Sequence, residues 1–173
     1  MRHRTRLATP FLAALGLAAP GALAQSPNQG SVSAEDRAAI ASCIRESMDR
    51  PRACIGTIAV VCARQARGDR REAEIACTRR EAAVWRERLD LATMALAQRL
   101  EPGQRSRFAA EQRSWESYMG LKCAFVGEIQ PPATAPVMQA GCELRGAAGR
   151  AVEVEGWVRR LARTSQPRPQ LHR

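Results

Sequence analysis

Apolar residues recur along most of this chain at spacings of three and four, the signature of helices with one buried face. Ser33 followed by Asp36 reads as a helix start, the hydroxyl capping free amides and the acid favouring the positive helix end. Ile40, Cys43, Ile44 and Met48 continue one face towards Pro51, where the helix closes. From Glu72 to Leu100 there is neither proline nor glycine. Glu81, Trp85, Leu89, Ala92, Leu96 and Leu100 there follow one side of a helix of about eight turns. Glu101-Pro102-Gly103 ends it, and a second long helix, 103–126, carries Phe108, Trp115, Tyr118, Met119 and Cys123 before QPPATAP stops the pattern. The short connection makes these two helices an antiparallel pair. A last element, 137–163, has Met138, Cys142, Val154, Val158 and Leu161 on compatible faces. Gly141, Gly146 and Gly149 each cost about 1 kcal/mol relative to alanine, so bent or frayed stretches are expected there.

Two stretches are less decided by period. ACIGTIAVVCA, 53–63, suits a β-branched strand or a buried helix, and the Ile55, Ile58, Cys62 spacing favours the helix. The polar ARQARGDRR, with Gly68-Asp69 as its turn, is flanked by Cys62 and Cys77 and reads as a stapled, exposed excursion over 63–72. No strand alternation of useful length occurs. The predicted fold is all-α, a small disulfide-stapled helical bundle with two long antiparallel helices. Trp115, Tyr118, Met119 and Cys123 share one helix side, and in a chain poor in aromatics that side is expected to fill the core.

The N-terminus has another character. MRHRTR, the mostly apolar LATPFLAALGLAAPGALA and the closing Ala22-Leu23-Ala24 form the charge, apolar stretch and small-residue pattern of a cleaved secretory signal. Prolines and glycines interrupt it short of the ~20 apolar residues of a membrane span. The organisation expected is a signal peptide over 1–24, a flexible lead-in over 25–32, a helical domain over 33–163 and a disordered basic tail over 164–173. The product is expected in the periplasm or outside the cell.

The formal charge of +10 is unevenly placed. Without Arg2, Arg4 and Arg6 the chain has 24 basic against 17 acidic residues, and Arg159, Arg160, Arg163, Arg168 and Arg173 hold five of the surplus, leaving +2 for residues 25–158. A near-neutral body lacks the basic stripe that tracks phosphates, which argues against nucleic acid. The tail can rest on anionic lipid or envelope polymer, or be a plain solvated end.

The six cysteines, Cys43, Cys54, Cys62, Cys77, Cys123 and Cys142, form an even set in an exported chain and read as disulfides. Proximity suggests Cys43 with Cys54, Cys62 with Cys77 and Cys123 with Cys142. There is no C-x-x-C pair, and the histidines are His3 in the signal and His172 in the tail, so no metal site is expected. No cofactor is expected either. The missing histidine also removes Ser-His and Cys-His nucleophiles, leaving carboxylate pairs such as Glu87 with Asp90, three apart on one helix, as the chemistry of an alternative hydrolase.

The run Cys77, Glu81, Trp85, Leu89-Asp90, then Gln112-Arg113-Ser114-Trp115, Tyr118, Cys123-Ala124-Phe125, then Cys142 and Arg150 resembles the exported lysozyme-inhibitor-like domain family named after the lipoprotein LprI. The resemblance covers about residues 43–155. It departs at Asp90, Thr93, Met119-Gly120 and Ala147, where the family pattern has Asn, an aromatic, Arg-Asp and Thr. It implies a binder of lysozyme that protects the cell wall. The expected function is an exported, non-catalytic envelope binding protein of this family, with direct lysozyme inhibition as the alternative and lysozyme or another exported protein as partner. Arg64, Arg67, Arg70 and Arg71 in the stapled segment are candidate partner-binding residues, as are Arg113 and Glu116, an i to i+3 pair on the second long helix. An arginine-rich loop, however, is repelled by a strongly basic lysozyme.

Overall fold

Ser33 opens the first helix as expected, its hydroxyl accepting from the Asp36 amide at 3.0 Å. In the computed structural model, which describes residues 32–164, the elements are α1 Ala34–Glu46, a 3-10 turn Pro51–Cys54, α2 Ala59–Gln65, α3 Arg70–Ala97, α4 Pro102–Glu128 and α5 Ala135–Thr164. The described residues contain no strand. The expected signal peptide over 1–24, residues 25–31 of the expected lead-in and residues 165–173 of the expected tail lie outside them; Thr164 closes α5.

Several boundaries differ from expectation. Helix α1 ends at Glu46, and Met48 beyond it is exposed. The 53–63 stretch is α-helical only from Ala59; between the 3-10 turn and α2 the chain turns at Gly56, whose φ of 103° favours glycine. The excursion between Cys62 and Cys77 shrinks to residues 66–69, because α2 takes its start and α3 its end. Asp69 caps α3 by accepting from the Arg71 and Glu72 amides, which hold its carboxyl below the ordinary range.

The three long helices run up, down and up. Arg88 beside Glu155 and Phe108 beside Trp157 show α5 parallel to α3 and antiparallel to α4. The main packing surface of both α3 and α4 is α5. Its inner side is rich in alanine: Ala140, Ala147, Ala148 and Ala151 are buried with Leu144 and Val154. These small side chains let the long apolar face of α3, Val84, Trp85, Leu89, Ala92 and Leu96, approach closely. Helix α5 is not frayed or interrupted at its glycines and runs continuously from Ala135 to Thr164. At Gly146 a side chain would run into the end of Met119 on α4, so this glycine permits close approach; Gly149 has open space around it.

The N-terminal layer is fastened to α3 by polar and covalent ties. Arg37 of α1 forks onto Glu87 at 2.7 and 3.0 Å, and Arg80 of α3 forks back onto Asp36 at 2.8 and 2.9 Å. The disulfides are Cys43–Cys54, Cys62–Cys77 and Cys123–Cys142, the pairing that proximity suggests.

At the centre Glu81 is fully buried. Its carboxylate accepts from the backbone amides of Gly56 at 2.7 Å, Ile58 at 2.9 Å and Ala59 at 2.8 Å, and from the Trp85 indole at 3.0 Å. Helix α2 has no capping side chain of its own, so Glu81 supplies from α3 the acceptor its first amides need. Replacing Glu81 by Gln turns one oxygen into an amide that faces two donors. The expected loss is about 3 kcal/mol or more of unfolding free energy, measured by urea denaturation of the oxidised protein.

Candidate partner-binding surfaces

Helix α4 makes two rows from its sequence. Gln112, Cys123 and Gly127 are buried and Trp115 and Met119 half-buried, and this row faces α5. The second row, Tyr118, Leu121, Phe125 and Ile129, is 58, 73, 59 and 59% exposed. The expectation that Tyr118 belongs to the core with Trp115, Met119 and Cys123 is therefore corrected. With α5 as its main partner, α4 has one shielded side, and Tyr118 projects away from it with Lys122 over its ring at 5.6 Å.

The inner row is organised around Arg150, which is 4% exposed. Its Nε donates to Gln112 Oε1 at 3.0 Å and its Nη1 to Glu153 at 2.8 Å, while Nη2 donates to Glu111. The guanidinium also lies over Trp115 and Trp157, at 5.7 and 5.0 Å from their rings. All three nitrogens are thus engaged and two indole rings flank the cation, which suits arginine and not lysine.

The predicted site residues are not brought into one place. Arg64, Arg67, Arg70 and Arg71 are exposed around the short 66–69 turn, and Arg64 and Arg70 border a depression of about 560 Å³ between α2 and α3. Arg113 and Glu116 are exposed on α4 but form no ion pair with each other; Gln112 donates to Glu116 at 3.5 Å. The suggested catalytic couple is also divided. Glu87 is held by Arg37, which lowers its pKa, whereas Asp90 is raised by desolvation and then by the Glu116 charge. Among the described residues no group of His, Cys, Asp and Glu is arranged to hold a metal, and no helix is long and apolar enough to cross a membrane. The exposed row at 118–129 is what sequence reading missed. Its signal was present, since Leu121, Phe125 and Ile129 lie at spacings of four, on a side different from Cys123.

Two consequences follow for the polar clusters. Arg150→Met leaves Gln112 and two carboxylates without their donor and is expected to cost about 3 kcal/mol, with a red-shifted tryptophan emission as Trp115 and Trp157 loosen. The Arg80 fork holds the Asp36 carboxyl below its ordinary pKa, so Asp36 stabilises the fold above the unfolded-state value and loses that contribution as pH falls through the folded value. Asp36→Asn should therefore destabilise at neutral pH, and denaturation curves of the two proteins should converge in strong acid.

No curated protein and no solved structure matches the chain. The family model described as lysozyme inhibitor LprI matches residues 62–154. That span holds Glu81, Gln112, Arg150 and two of the three disulfides, and leaves Cys43 and Cys54 outside. The Cys62–Cys77 and Cys123–Cys142 bridges and the Arg150–Gln112 bond thus lie within the matched residues, and the chain belongs to the lysozyme inhibitor LprI family.

Proposed function

We propose that this protein is an exported, non-catalytic binding protein of the cell envelope that recognises another protein through the outer row of α4. The observation that supports this reading is the exposure of Tyr118, Leu121, Phe125 and Ile129 in one register over about three turns. A single exposed apolar residue needs no explanation, but a continuous row with two aromatics has the composition of an interface core. Three disulfides belong to an oxidising compartment, which supports an extracytoplasmic site of action.

The family supports lysozyme as the partner, and with it direct inhibition that protects peptidoglycan. An apolar row suits a strongly basic enzyme better than the arginines around 66–69 do, because its contribution does not depend on charge of opposite sign. Hydrolysis by a carboxylate pair has less support, since Glu87 is occupied by Arg37.

The test is hydrolysis of cell walls by a c-type lysozyme with oxidised protein titrated to excess at low and physiological salt. Saturable inhibition is expected to survive physiological salt, to weaken about tenfold or more in Phe125→Asp and to change little in Arg67→Ala. Absence of inhibition by the folded protein removes this lysozyme as partner, and inhibition unchanged in Phe125→Asp removes the α4 row as the surface.

A further inference from the structure

At the end of the bundle where α3 stops, α4 begins and α5 finishes, the three helices leave a groove of about 350 Å³. Leu96, Leu100, Phe108, Trp157 and Leu161 form its apolar walls, and Gln104 and Arg160 are the polar groups on its margin. It lies at the small end of the about 300–1,000 Å³ range of small-molecule sites. It is also separate from the outer row of α4, sharing no residue with it.

Arg160 distinguishes the groove from a mere packing defect. Three other cations at this end have partners: Arg99 donates to the Ala95 carbonyl at 2.7 Å, Arg105 to those of Ala97 at 2.9 Å and Leu100 at 3.1 Å, and Arg159 lies 3.7 Å from Glu155; Arg107 and Arg163 are exposed like Arg160 but do not line the groove. Arg160 is exposed and in no ion pair with any described acid. An apolar trough lined on one side by an exposed arginine in no ion pair is complementary to a molecule with an apolar chain and an anionic head.

We propose that this groove binds a free single-chain amphiphile with an acidic head group, the chain lying against Leu96, Leu100, Phe108 and Trp157 and the head on Arg160. A membrane surface fits less well, because a protein that inserts into lipid projects its apolar side chains, whereas these line a concavity. Binding covers the part-exposed sides of Leu100, Phe108 and Trp157, and Arg160 sets the orientation and the sign of the head group.

Calorimetric titration of the oxidised protein with sodium dodecanoate below its micelle concentration tests this. Saturable binding of one dodecanoate per chain is expected, with dodecyltrimethylammonium at least about tenfold weaker, the scale of one charge-assisted contact. Arg160→Glu, a surface change that leaves the helical circular dichroism intact, should weaken dodecanoate by a similar factor, and Arg160→Lys should keep most of the affinity. Equal binding of both amphiphiles, or dodecanoate binding unchanged in folded Arg160→Glu, overturns the proposal. Binding that emerges only in a chain ending at Thr164 assigns the groove to the protein's own last residues, and capture by phosphatidylglycerol vesicles without dodecanoate binding assigns it to a lipid surface; either outcome also overturns it.

Discussion

A carboxylate taken fully out of water must find enough donors within reach, and this requirement at Glu81 governs the N-terminal half of the molecule. The donors come from two sources. One is Trp85, a turn further along the same helix, and the others are three amides of the Gly56–Ala59 turn. Because those amides open α2, the burial of Glu81 and the existence of α2 are one event. Seven residues are too few to hold a helix in water by themselves. The Cys62–Cys77 bridge, which joins α2 to α3 one turn before Glu81, adds the second point needed to fix its direction.

A comparable arrangement of opposite charge fixes the other half. Arg150 lies two turns after Cys142 on α5, and Gln112 and Trp115 lie three and two turns before Cys123 on α4. In an antiparallel pair those separations put the arginine cluster and the Cys123–Cys142 bridge at two rungs of one ladder, so the register of α4 on α5 is set twice. Met119 falls between the rungs, against Gly146, where the absent side chain lets the helices close. The alanine face of α5 does the same for α3. This explains why the four glycines of α5 do not interrupt the helix: tertiary packing along both sides outweighs a propensity cost of about 1 kcal/mol each.

Features settled by neighbours in sequence were legible before the structure. The Ser33 cap, the unbroken 72–100 stretch, the stop at Glu101-Pro102-Gly103 and the three disulfides between consecutive cysteines are all of this kind. Which side of α4 faces inward was not, because helical period assigns residues to rows without saying which row meets another helix. Trp115 and Tyr118 are only three apart, yet Trp115 reaches Arg150 and Tyr118 reaches solvent. Most partners of Glu81 and Arg150 were equally hidden, since the Gly56, Ile58 and Ala59 amides and the Glu111 and Gln112 side chains lie more than twenty residues away in sequence. Of the candidate site residues, the four arginines at 64–71 were correctly read as exposed, and the Arg113–Glu116 pair was not formed.

The division of labour along α4 bears on how the family name should be applied to this chain. Glu81, Trp85, Gln112, Trp115, the cysteines and Arg150 carry the resemblance, and each of them is consumed by contacts inside the fold. A signature made of such residues identifies the scaffold, because removing any one leaves a buried donor, acceptor or charge unmatched. Arg113, Ser114, Tyr118 and Phe125 are the exceptions, members of the same run that are exposed. The residues available to a partner are therefore mostly ones on which the fold makes little demand, and they can change without disturbing the ladder beneath them. On this physical ground, the identity of the partner has to be read from the outer row of α4 and from the exposed arginines, and not from the buried part of the motif that defines the family.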